Sequence, residues 1–167
     1  MKRLILIRHA KSSWDYPMLG DFERPLNPRG RRDAPIMAQR LQNLLAPPFR
    51  IIASPAVRAL TTAQLFAETF ELPESAVSID RRIYEATPGT LLHLINSFDE
   101  ADAQVLMFGH NPGFTDIAQL LADAPLPFIE LPTCGIAVFE FDVAHWQDIV
   151  PGDGRLLAFR CPKEGTR

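Results

Sequence analysis

Short apolar runs recur near residues 3–8, 50–54, 77–80, 104–108, 134–141 and 155–161, each of strand length and bounded by polar or turn-forming residues. Helical spacing fills the intervals between the first four. Met37, Leu41, Leu44 and Leu45 form one apolar face, and Ala59, Ala63, Phe66, Ala67 and Phe70 another. Phe114, Ile117, Ala118 and Leu121 form a third after the fourth run. Strands alternating with helices predict an α/β three-layer sandwich, with a mostly parallel central sheet and helices on both faces. No repeat or flexible linker interrupts the pattern, so residues 1–167 read as a single domain.

Four dipeptides read as helix starts: Asn27-Pro28, Ser54-Pro55, Thr87-Pro88 and Asn111-Pro112. A polar side chain accepts from an orphan backbone N–H, and proline fits the first helical position because its missing N–H costs nothing there. Pro35 must kink the first helix or delay its start. The segment YPMLGDFERPLNPRG before that helix is the one long polar loop, and loop 14–28 reads as a lid or a docking surface.

A chain of 167 residues, 47% hydrophobic and 22% charged, is sized for one core. Its apolar runs fall short of the roughly 20 residues of a membrane span, and none at the N-terminus has signal-peptide length; a cytoplasmic protein without membrane contact is expected. Cys134 and Cys161 sit in segments that read as buried strands, which predicts reduced, core-filling thiols. Charge is uneven. Residues 1–60 carry 11 Lys+Arg against 4 Asp+Glu, and the remainder carries 6 against 16. A locally basic surface on an acidic chain suits a compact anion better than a nucleic-acid track.

Ligands of open α/β sheets bind beyond the carboxyl ends of the strands, where helix N-termini also converge. The chemically distinctive residues fall there. Arg8 and His9 close the first strand, Arg58 follows the second, Glu85 the third, and His110 the fourth. Arginine offers a planar fork of donors to phosphate oxygens, and neutral imidazole can attack phosphorus and carry the phosphoryl group. Ser12 and Ser13 are placed either to donate to a phosphate or to cap a turn. His93 and His145 read as structural. Signatures of P-loop, dinucleotide, serine-hydrolase and zincin sites are missing, and the two site histidines lack carboxylate or cysteine companions for a metal. No metal or cofactor is implied.

Three segments, LIRHAKSSW, SPAVRALTTA and GHNPG, resemble in order the signature motifs of the histidine phosphatase superfamily. RPLNPRG and YEATPG are most similar to its SixA-type phosphohistidine phosphatases. The resemblance implies that His9 is the phosphorylated nucleophile, that Arg8 and Arg58 clamp the phosphate, and that His110 donates to the phosphoryl oxygens. It further implies in-line attack by His9 and hydrolysis of the phosphohistidine by water. His9 must be neutral to attack, so activity is expected to fall as pH drops through its pKa. Glu85 stands where related ester-hydrolysing enzymes keep a general acid; the alternative is a loop carboxylate paired with Arg81, Arg82 or a site cation. Ala10, Lys11 and Asp15 replace the glycine, glutamate and asparagine of the mutase branch, which argues against a mutase. Lys11 would add positive charge at the mouth, and Asp15 should turn away from a phosphate or pair with a cation. The expected partner is a phosphorylated protein, such as a histidine phosphotransfer domain or phosphocarrier. Alternatives are a small phosphomonoester substrate, or a phosphate-recognition module without turnover.

Overall fold

Every apolar run of the sequence becomes a strand of one sheet. The structure is a computed structural model that describes residues 1–163. Its strands and helices run β1 (Lys2–Arg8), α1 (Pro28–Leu44), β2 (Arg50–Ala53), α2 (Val57–Thr69), β3 (Val77–Ile79), α3 (Pro88–Asn96), β4 (Gln104–Gly109), α4 (Gly113–Leu121), β5 (Ile136–Phe141) and β6 (Arg155–Arg160). The sheet order is β3-β2-β4-β1-β5-β6. The first four are mutually parallel, and β5 and β6 add antiparallel at one edge.

Alternation along each strand divides the core into two layers. Ile5 and Ile7 of β1 join Met37, Leu41, Ala63 and Phe66 of α1 and α2 on one face. Leu4 and Leu6 join Leu91, Ile95, Phe114 and Ile117 of α3 and α4 on the other. β4, buried at all six residues, lies between β1 and β2 at the centre. Among the described residues no helix is long and apolar enough to cross a membrane.

Two helix starts follow the cap-then-proline reading: Asn27 accepts from the Gly30 N–H, and Thr87 from the Thr90 N–H. The other two differ. Ser54 continues β2, its N–H donating to the Phe108 carbonyl, so α2 begins later with Ala56 at its cap. Pro112 itself takes the cap position of α4, and Asn111 reaches past it to accept from the N–H and hydroxyl of Thr115. Pro35 does not delay α1, which starts at Pro28 and runs through it. The cysteines are free, but neither lies in a strand: Cys134 is buried just before β5, and Cys161 is half-buried just after β6.

Gly30 allows α1 to sit on the segment after the first strand. A Cβ there would lie 2.2 Å from the Lys11 carbonyl oxygen. The same carbonyl accepts from the Asn27 N–H at 3.0 Å, so helix start and loop are pinned together.

Candidate active site

Strand register places the two motif histidines side by side. Arg8 of β1 pairs with Gly109 of β4, so the next residues, His9 and His110, leave the sheet as neighbours, with ring centroids 5.4 Å apart. The His9 N–H donates to the Gly109 carbonyl at 3.0 Å. From the other side the Cys134 N–H reaches the carbonyls of both Arg8 and His9, at 3.1 and 3.0 Å. Cys134 does so from a left-handed backbone conformation, with φ of 56°. Arg58, second residue of α2, arrives from the end of β2. Thr62, one turn on, accepts from the Ala10 N–H and donates to the Arg58 carbonyl, tying helix to nucleophile loop.

Arg8, His9, Arg58 and His110 line a cleft of about 660 Å³ at the carboxyl edge of the sheet, together with Glu85. The sequence reading therefore assembled five residues that the fold does bring together: Arg8, His9, Arg58, Glu85 and His110. It missed Asp21, Arg24 and Tyr84, which line the same cleft.

His9 is buried, and its Nδ1 lies 2.7 Å from the Ala10 carbonyl oxygen. A carbonyl only accepts, so Nδ1 carries the proton and the neutral ring keeps its lone pair on Nε2. Burial lowers the His9 pKa to about 3; the positive charge of His110, Arg58 and Arg8 works the same way, against the opposing Ala10 bond. Burial, with Arg58 next, lowers that of His110 to about 4. Its Nε2 stands 2.8 Å from the Ser54 hydroxyl. Protonation silences the Nε2 lone pair, and a pKa near 3 keeps His9 neutral through pH 5. We expect the ring resonances of His9, followed by NMR, to stay constant between pH 8 and 5; a protonation step near 6.5 would contradict this environment.

Among the described residues, four buried side-chain nitrogens lack a hydrogen-bond partner: Nε of Arg8, Arg24 and Arg58, and Nδ1 of His110. All four belong to residues of this one cleft. Folded proteins rarely leave such groups unpaired, and where several share one cleft a ligand is their natural partner. The arginines are anchored through their terminal nitrogens: Arg8 Nη1 donates to the Leu131 carbonyl at 3.0 Å, Arg24 Nη1 to the Ser12 hydroxyl oxygen, and Arg58 Nη2 to Asp21 at 2.9 Å. Each thus keeps an Nε donor for an anion, in a fixed side chain.

Other candidates are placed differently. Ser12 is buried outside the cleft and reaches the site through Arg24. Asp15 does turn away: it is exposed, lies outside the cleft, and donates its N–H to Ser13 Oγ at 3.1 Å. Lys11 is exposed and likewise outside. Glu85 is exposed with a left-handed φ of 54°. The expected arginine partners of Glu85 are engaged elsewhere, Arg82 with Asp80 and Arg81 over the Phe22 ring. His93 and His145 are exposed and lie outside the cleft.

Buried arginines grouped with a neutral, lone-pair-bearing histidine at the carboxyl edge of an α/β sheet define a phosphoryl-transfer site. The chain belongs to the histidine phosphatase superfamily (branch 1), whose family model matches residues 4–113. It is 34% identical over 166 residues to an uncharacterized protein of Mycobacterium tuberculosis, covering 94% of this chain and all of that one. Among solved structures it is similar to one assigned as phosphohistidine phosphatase SixA from Agrobacterium tumefaciens, at 32% identity and a TM-score of 0.76 over 96% of this chain and 98% of that one. A protein histidine phosphatase SixA in complex with tungstate shares the fold at 23% identity and a TM-score of 0.78, covering 97% and 98%.

Proposed function

We propose that this phosphatase removes the phosphoryl group from phosphohistidine on a partner protein, by way of a phosphohistidine formed on His9. The observation that carries the choice of substrate is the apolar surround of the cleft. Trp14, Tyr16, Met18 and Leu19 stand exposed on the loop leading to Asp21, Met18 at 95%. Ile129, 92% exposed, lies beyond Arg8 in a depression that continues the cleft. Large apolar side chains around a polar pocket suit a protein surface better than a free sugar phosphate.

In this reading Nε2 of His9 attacks phosphorus in line, and the bond from phosphorus to the substrate imidazole breaks with its electron pair on the departing nitrogen, which takes a proton from solvent. Water then attacks the phosphoryl group on His9; the P–Nε2 bond breaks, orthophosphate leaves, and the neutral ring returns. Arg8, Arg58 and His110 meet the charge on the equatorial oxygens. A departing imidazole is readily protonated, so Glu85 is dispensable for this bond. The exposed carboxylate of Glu85 in the cleft favours one second reading, a small phosphomonoester whose alkoxide needs that acid.

The test compares phosphate release from a phosphohistidine-bearing phosphocarrier and from para-nitrophenyl phosphate, for wild type and Glu85→Gln, with metal chelated. The phosphoprotein is expected to react about 100-fold faster in kcat/KM, with a Glu85→Gln loss under about 3-fold, far below the roughly 100-fold or more that a needed general acid contributes. Fast ester hydrolysis that collapses in Glu85→Gln would replace the protein substrate with a small one.

A further inference from the structure

Asp21 lies in the cleft, yet the reaction above gives it no task. Its carboxylate is divided between two arginines: Oδ1 accepts from Arg24 Nη2 at 3.2 Å, and Oδ2 accepts from Arg58 Nη2 at 2.9 Å. Oδ2 also accepts from the Tyr84 hydroxyl at 2.8 Å, and the Asp21 backbone carbonyl accepts from Arg58 Nη1. Partial burial works against the charge, but the bonds from Tyr84, Arg58 and Arg24 outweigh it and hold the carboxyl well below the usual carboxylate range. Asp21 is a fixed anion with two fixed cations.

A guanidinium has two usable forks: a terminal one of Nη1 and Nη2, and a lateral one of Nε and the second hydrogen on Nη2. In Arg58 both Nη nitrogens donate to Asp21, Nη1 to its carbonyl and Nη2 to its carboxylate; in Arg24 Nη1 donates to Ser12 and Nη2 to Asp21. Both lateral forks keep a buried Nε without a partner, on side chains only 6% and 11% exposed. Trp14 packs its ring on the Arg24 guanidinium, 3.8 Å from centroid to Cζ, and blocks a swing out of the cleft on that face. A carboxylate competing for the phosphate position would cover the lateral forks. Asp21 accepts from Nη nitrogens alone and leaves both Nε donors unpartnered.

We propose that Asp21 is a positioning residue that yokes Arg24 to Arg58 and so makes Arg24 a third arginine for the phosphoryl group. The proposal rests on the reading of Arg8 and Arg58 as phosphate clamps. The carboxylate offsets the repulsion between two arginines in one cleft and fixes the direction of both lateral forks, as a preorganised oxyanion site requires.

The experiment measures orthophosphate binding by calorimetry, and kcat and KM for dephosphorylation, in Asp21→Asn, Arg24→Lys, their double variant, and Arg58→Ala as reference. Arg24→Lys keeps the charge and loses the fork, and should weaken phosphate binding about 10-fold. Asp21→Asn should weaken it about 5-fold, and the double variant should be less than additive, because both substitutions remove one shared unit. A merely structural loss would lower the melting temperature without that non-additivity. Unchanged phosphate affinity in Arg24→Lys overturns the proposal, and so does tighter binding in Asp21→Asn, which would make the carboxylate a competitor. If Asp21→Asn does not fold, the Arg24→Lys affinity decides the matter. Unchanged affinity in Arg58→Ala would instead remove the underlying phosphate-clamp reading.

Discussion

His9→Ala is expected to lower turnover by roughly 10⁴-fold or more while orthophosphate still binds within about 5-fold of the wild-type affinity. The separation follows from the geometry. The unpartnered buried nitrogens of the cleft belong to Arg8, Arg24, Arg58 and His110, none of which the substitution removes. What disappears is the one nitrogen whose lone pair the Ala10 carbonyl directs away from its own side of the ring. Steady-state kinetics together with calorimetry measure both quantities, and rapid quench of the wild type should trap a phosphoryl group on His9. Equal phosphate release by wild type and His9→Ala would eliminate the covalent route; equal binding with no turnover in either protein would leave a recognition module.

Gly30→Ala is the second large effect, and it acts on stability first. The added Cβ would meet the Lys11 carbonyl oxygen at 2.2 Å, a backbone atom that no side-chain rotation can withdraw. Either α1 lifts from the sheet layer that Met37 and Leu41 bury, or the loop after His9 moves. A loss of about 3 kcal/mol is expected, read as a lower urea midpoint at unchanged slope. Activity should fall further than stability alone explains, because Lys11 is two residues from the nucleophile. A variant with a wild-type midpoint would show that helix and loop part without cost.

The first effect traces to a residue the sequence marks openly, whereas the close approach of Gly30 to Lys11 is visible only in the fold. Strands were legible because apolar runs of four to eight residues between turn-forming residues have few other uses in so compact a chain. Site residues closing those strands were legible for the same reason: a parallel sheet sends its carboxyl ends to one edge. Asp21, Arg24 and Tyr84 were not legible. Asp21 meets Arg58 across 37 positions and Tyr84 across 63, through loops whose path no periodicity encodes. The hint available was composition: DFERP places an acid and an arginine three apart in a loop that ends at the first helix. Ser54 misleads as a helix cap because it extends β2 and its hydroxyl meets His110, whereas Asn111 still accepts an N–H of the first turn of α4, from one residue before the cap.

The sheet order also governs when the cleft comes into being. β1 is held on one side by β4 and on the other by β5, segments that begin about 100 and 130 residues later in the chain. Local contacts therefore do little to build the site, and closing loops of that length is the slow step of topologies rich in distant pairings. During synthesis at the ribosome, Arg8 and His9 emerge first and must wait for His110 and Cys134 before they acquire neighbours. Phosphate-binding competence should thus appear late and all at once, as part of the final cooperative closure of the sheet, with no partially active fragment preceding it.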